Sequence, residues 1–373
     1  MATHYHAEHV GSLLRPPYLL RAREAFEAGT VTMEELREVE DRAITELIDV
    51  QKQSGVDVVT DGEARRESWR AGLMESLSGL VPLPRTMRWY RDGKELPADE
   101  TLTDGVAVTT RVSKKQDLTG TEAAFMARHA PGPFKITMIS ASMGGMVWDP
   151  ERSAGAYPTP GALIEDLAQL QIEEIDALVA VHGVRWVQLD SLTYNQVIDP
   201  ANSGGTRVAF SPEQALETAI AVDAAIVSAV KRSHPEVTVG MHICRGNYRS
   251  SWLAQGSYEP VAERLFNEVP VDRFLLEYDT ERAGGFEPLR FVPSRPAGPT
   301  VVLGLITTKT GQLEDTDALR RRIDEAASYV PLENLAISPQ CGFASGSLGN
   351  LITADDQRRK LDLVASTARQ VWG

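Results

Sequence analysis

Eight short, nearly continuous apolar runs recur along the chain, and the longer amphipathic stretches between most of them constrain the fold more than any other feature. The runs are His9–Ser12, Val56–Thr60, Phe134–Ser140, Val184–Asp190, Val237–His242, Arg273–Glu277, Thr300–Thr307 and Asn334–Ser338. A strand apolar throughout has to be covered on both faces, which is the situation of a parallel sheet flanked by helices. The intervening stretches Thr32–Ser54, Pro160–His182, Ser211–Ser233 and Thr316–Val330 carry helical periodicity. Two open on cap signals, Thr32 before Glu34 and Glu35, and Ser211 before Pro212 and Glu213. Eight such units close a (β/α)8 TIM barrel, whereas an open doubly wound sheet usually offers fewer strands. The α/β reading is therefore one barrel domain spanning residues 1–373, with an insertion after the second run. That insertion, Gly79–Asp117, breaks the rhythm and reads as one or two hairpins turning at Asp92-Gly93, a candidate lid.

Charge and cysteine content narrow the function. With 38 basic and 52 acidic side chains the net charge is −14, which repels nucleic-acid phosphate and anionic lipid. No run is long enough to span a membrane, and MATHYHAEHV lacks the basic start and apolar core of a secretory signal. Two cysteines make a disulfide framework improbable on composition and point to a reducing cytoplasm. The oligomeric state, monomer or homo-oligomer, stays open.

Barrel chemistry gathers at the C-terminal ends of strands. Those positions hold Ser12, Asp61, Glu63, Ser140, Ser142, Asp190, His242, Cys244, Glu277, Asp279, Lys309 and Cys341, and both cysteines of the chain fall among them. His242 and Cys244 are two apart, so on extended backbone they face one side. Alone, such a pair is a weak metal signal and reads first as a packed cysteine beside a hydrogen-bonded histidine. Cys341 at another strand end and Glu277, an acid emerging from an apolar strand, complete a donor set suited to Zn2+ rather than to magnesium or calcium. Two thiolates and a carboxylate outweigh the dication, which disfavours water activation and favours holding an incoming thiol as thiolate.

HVGSLLRP (9–16), GVDVVTDGE (55–63), VQLDS (187–191), HICRGN (242–247), LEYD (276–279), GLITTKTGQLED (304–315) and SPQCGFAS (338–345) together resemble the cobalamin-independent methionine synthase family, in its short, single-barrel branch. The resemblance implies zinc ligands His242, Cys244, Glu277 and Cys341, with Glu63 and Asp190 on the substrate ammonium and Ser12 on its carboxylate. It implies methyl transfer from folate to homocysteine, giving methionine; with this chain's departures from the long members, the donor reads as methyltetrahydrofolate, a methylated corrinoid (free or on a corrinoid protein) or a small methyl compound. For Glu63 the competing reading is an ion pair with Arg65 or Arg66, and for Asp190 a cap or turn. Where long members place a proton-donating histidine this chain has Lys309, a weak acid unless its pKa is strongly depressed. The branch also resembles epoxyalkane:coenzyme M transferases, whose sulfonate substrate would call on Arg15, Arg245 or Lys309. A non-catalytic zinc- or thiol-binding barrel is the third reading.

Overall fold

The computed structural model describes residues 5–69, 76–103, 105–202, 209–294 and 298–373. The third to eighth apolar runs become the ladder strands β1 (Ile136–Ile139), β2 (Trp186–Asp190), β3 (Thr238–Ile243), β4 (Arg273–Glu277), β5 (Thr300–Ile306) and β6 (Leu335–Pro339). They lie side by side in sequence order, all parallel.

The segment just before the first run, together with the second run, closes this sheet into a barrel by other means. Ala7 bridges to Ile337 of β6 and Val59 bridges to Phe134 just before β1. Asp57 N donates to the Ala7 carbonyl, and the Asp57 carboxylate accepts the His6 and Ala7 amides at 2.7 and 2.8 Å. Gln51 does the same for Thr60, accepting its amide and donating to its carbonyl. Side chains thus substitute for ladder partners, so backbone groups stay satisfied without regular strands. The contact with β6 falls at Ala7, just before the expected first run at His9–Ser12.

Helices of ten or more residues form the outer layer among the described residues: α1 (Pro17–Glu27), α2 (Met33–Ser54), α3 (Gly120–His129), α4 (Pro160–His182), α5 (Pro212–Ser233), α6 (Glu259–Glu268), α7 (Thr316–Ala326) and α8 (Ala354–Trp372). Capping boxes begin α2 at Thr32 with Glu35 and α5 at Ser211 with Gln214, and glycines in the left-handed conformation end α2 and α4. The alternation is uneven. Both α1 and α2 precede the second barrel segment, while β4 is followed by two 3-10 turns, Glu281–Ala283 and Glu287–Phe291.

Between the second segment and α3, Leu77–Pro82 pairs antiparallel with Val106–Lys114. Nested within lies the tight pair Tyr90–Arg91 with Lys94–Glu95, turning at Asp92-Gly93, where both φ angles are positive. The tip of this hairpin reaches the loop after β3. Tyr90 and Trp252 exchange backbone hydrogen bonds of 2.8 and 2.9 Å and stack with ring centroids 4.6 Å apart.

Candidate metal and substrate site

Strand register assembles the site. Asp190 at the end of β2 lies opposite His242 on β3, and Glu277 ends β4 beside Gly304 of β5. Beyond β3 the chain turns with Cys244, and beyond β6 with Cys341, whose sulfurs stand 3.7 Å apart. One donor atom each from His242, Cys244 and Cys341 falls within 4.8 Å of the others, and all three residues are buried. Neither ring nitrogen of His242 makes a hydrogen bond among the described residues. A buried imidazole with two idle nitrogens beside two thiols is costly unless something fills the gap, and a soft or borderline cation suits those donors. The residues present fit zinc.

The cysteine pair shares a proton. The Cys341 thiol donates to Cys244, and His242 adds attraction, so Cys244 is held well below the ordinary thiol range while Cys341 is pushed above it. Burial opposes the charged imidazole, but the neighbouring Cys244 thiolate outweighs it and raises His242.

Glu277 stands beside this trio rather than within it. Its carboxylate accepts the Arg245 amide at 2.6 Å and an Arg282 guanidinium hydrogen at 2.5 Å, with Lys309 Nζ at 3.9 Å. Burial alone would raise its pKa, yet Lys309, Arg282 and Arg245 hold it at about 2. Lys309 therefore points at Glu277 and is not among the residues lining the cavity described next. Its nearest charged partner is thus Glu277, and a role in proton transfer would act from outside the cavity wall.

A cavity of about 500 Å³ opens over the trio, lined at its buried end by Ser12, Glu63, Asp190, His242, Cys244 and Cys341. Glu63 is not paired with either neighbouring arginine: Arg65 binds Glu40 and Asp41, and Arg66 binds Glu122. Instead Thr137 on β1 donates to Glu63 Oε1 at 2.9 Å, and Arg66 in turn donates to Thr137 at 3.2 Å. The other oxygen, Oε2, is buried without a partner among the described residues. Glu63 also adopts φ +54°, a left-handed conformation that costs a non-glycine residue free energy and is commonest where function demands an orientation. Across the cavity Gln188 donates to Asp190 Oδ1 at 2.8 Å. Burial pushes Asp190 up to about 7, against the pull of His242 and with the push of Glu63. Two carboxylates in one buried end, one deficient in donors, make a receptor for a cation.

Ser12 sits beneath Gly342. A Cβ on Gly342 would lie 2.0 Å from Ser12 Oγ, so only glycine lets the Cys341 loop approach this closely. Phe343 N donates to the Ser12 carbonyl at 2.8 Å and Ala344 N to Ser12 Oγ at 3.3 Å. The Ser12 amide itself has no partner among the described residues.

Sequence alone did not reveal Thr137, Met87 and Met146, nor the role of Gly342, whose sole signal was its place after Cys341. Met87 and Trp89 of the hairpin line the cavity, and Trp89 packs on Tyr248 with ring centroids 5.4 Å apart.

A family model described as the catalytic domain of cobalamin-independent synthase matches residues 7–354. The chain belongs to the cobalamin-independent methionine synthase family. Within it, the chain is 36% identical to the uncharacterized protein YxjH of Bacillus subtilis, covering 99% of this chain and 95% of that one. Identity to the methionine synthase of Pyrococcus abyssi is 23%, over 90% of this chain and 85% of the relative. Among solved structures, a putative vitamin-B12 independent methionine synthase from Listeria monocytogenes superposes with TM-score 0.74 at 31% identity, covering 100% and 99% of the two chains. A B12-independent methionine synthase from Shewanella sp. W3-18-1, solved in complex with selenomethionine, shares the fold with TM-score 0.73 at 19% identity, covering 99% and 98%. No described helix is long and apolar enough to cross a membrane.

Proposed function

We propose that the chain is a zinc-dependent methyltransferase that converts homocysteine to methionine. The observation that carries this reading is the convergence of His242, Cys244 and Cys341 on the wall of a cavity whose buried end also holds Glu63 and Asp190. His242, Cys244 and Cys341 would hold the ion. Glu277 would supply a fourth donor, since a carboxylate has lone pairs beyond those taken by Arg245 and Arg282. When bound there, zinc lowers the pKa of an incoming thiol and presents it as thiolate near neutral pH.

The remaining work falls to the protein. Glu63 and Asp190 bind the α-ammonium, and the unpartnered Ser12 amide meets the α-carboxylate, which fixes the amino acid with its sulfur toward the cysteines. The sulfur then attacks the methyl carbon in line; the carbon–donor bond breaks and its electron pair leaves with the donor. Orientation and exclusion of bulk water by the hairpin supply the acceleration. Membership of a family containing methionine synthases supports this reading, as does the selenomethionine complex of the Shewanella protein.

A sulfonate-bearing thiol such as coenzyme M fits less well at the buried end, because Arg15, Arg245 and Lys309, the basic residues named for it, are otherwise engaged, and Glu63 and Asp190 would repel a sulfonate there. Arg15 donates to the Ala344, Gly346, Glu63 and Arg66 carbonyls, Arg245 to Gly256, and Lys309 faces Glu277. The test holds homocysteine constant with zinc-loaded protein while donors are varied across folate, corrinoid and small methyl compounds. Methionine should appear with at least one. Its absence with all of them, or a calorimetric preference for coenzyme M over homocysteine, contradicts the proposal.

A further inference from the structure

Above its acidic end the cavity changes character. Trp69, Met87, Trp89, Met146, Tyr248 and the exposed Leu348 give it apolar and aromatic walls. Arg249 is the one arginine or lysine lining it among the described residues. Arg249 is half-buried, and its guanidinium makes no hydrogen bond or ion pair among the described residues. Every other arginine near the site is engaged, as Arg15, Arg66, Arg245 and Arg282 illustrate.

The backbone presenting Arg249 is costly to hold. Arg249 and Ser250 are consecutive non-glycine residues at φ +47° and +64°. Contacts from three directions enforce that conformation. Arg91 of the hairpin donates to the Arg249 carbonyl at 3.0 Å, Ser250 N donates to Asn350 Oδ1 at 3.0 Å, and Leu351 N donates to Ser250 Oγ at 2.9 Å. Strain that surroundings over-determine is characteristic of ligand clamps.

Arg249, unpaired and half-buried on a cavity whose other lining is acidic, thiol, imidazole, small polar and apolar, is free to take an anion, and the amino-acid substrate does not supply one there. On the proposed reading, the α-carboxylate of homocysteine lies beside its ammonium, at the fully buried end near Ser12, whereas Arg249 is in the half-buried part with Trp69 and Tyr248. We infer that Arg249 is a specificity-determining residue for the methyl donor: it binds a carboxylate or phosphate of an anionic carrier whose methyl-bearing part packs on Trp89 and Tyr248. Such a guanidinium also offsets the repulsion that Glu63, Glu67 and Asp190 exert on any anion entering the cavity.

This inference rests on the proposed methyl transfer, so the test measures binding separately from turnover. Tryptophan-fluorescence titrations with 5-methyltetrahydrofolate (carboxylates) and methylcobalamin (a phosphate diester) are run on zinc-loaded wild type, Arg249→Gln and Arg249→Lys. At least one probe should bind wild type, lose tenfold or more in Kd with Arg249→Gln and recover partly with Arg249→Lys; which probe responds identifies the anion. Zinc content and the homocysteine Kd should stay within twofold, a result a merely structural role would not give. Failure of both probes to bind wild type, equal binding to Arg249→Gln, or a loss falling on homocysteine instead overturns the inference. If methionine never forms yet the titrations follow the expected pattern, the proposed reaction fails while the anion site stands.

Discussion

Replacing Asp190 by Asn separates the cation receptor from the metal chemistry, provided that the ligand has no titratable sulfur. Methionine meets that condition. Asp190 ionises near 7 in the free protein because burial disfavours its charge, with Glu63 adding to the effect. An ammonium ligand needs the ionised form, so below 7 each unit of acidity costs a proton displacement, and the Kd for methionine should weaken about tenfold per pH unit. Above 7 it should level off. The raised value has the opposite consequence for the empty protein: the contribution of Asp190 to stability is complete below its ordinary 3.8 and is lost as pH rises through about 7. Asp190→Asn removes both trends. At pH 8 it also removes one partner of a buried charge pair, worth about 3 kcal/mol or roughly 150-fold in Kd. Isothermal titration with methionine from pH 5.5 to 8.5 on the two proteins measures all of this. An unchanged pH slope in Asp190→Asn, or a Kd within threefold of wild type at pH 8, would refute the assignment of Asp190 to the ammonium.

Other substitutions probe the surrounding frame. Gly342→Ala would put a methyl 2.0 Å from Ser12 Oγ and 3.1 Å from its Cβ, forcing Ser12 off the Ala344 amide; about 1–3 kcal/mol of stability should be lost and methionine binding weakened, as thermal melts and titration would show. Arg282→Met leaves Glu277 with Lys309 and the Arg245 amide, and loss of a buried partner should cost about 3 kcal/mol in denaturant unfolding, an unchanged midpoint counting against the pairing. In wild type, the Glu277 contribution is present above its ordinary 4.5 and lost as pH falls toward about 2; Arg282→Met should move that loss to higher pH in acid titration. Trp89→Ala should lower stability by about 3 kcal/mol and weaken the donor more than the amino acid, since Trp89 packs with Met87, Tyr248 and Leu253 in the roof.

Periodicity made the barrel legible because β1 to β6 are buried along all but the first residue of β3 and of β5, and a buried strand leaves a nearly unbroken apolar run. The first two barrel segments were harder to place. Their neighbours are held by Asp57 and Gln51 side chains, an arrangement without a sequence period. At the site, residues leaving strand ends were readable, since a polar group ending an apolar run is conspicuous; hence Asp190, His242, Glu277 and Cys341. Partnership was not readable. That Lys309 flanks Glu277, that Thr137 holds Glu63, and that Arg249 stands unpaired are consequences of which strands and loops become neighbours. Local spacing carries no trace of that.

The central claim is that a zinc ion held by two cysteines takes up the substrate thiol. X-ray absorption at the zinc edge, on loaded protein before and after homocysteine addition, tests it most directly. Two sulfur neighbours with nitrogen or oxygen completing the set are expected, rising to three sulfurs with homocysteine, together with loss of stoichiometric zinc in Cys341→Ser. A sulfur count unaffected by homocysteine, or full zinc retention in Cys341→Ser, would contradict it.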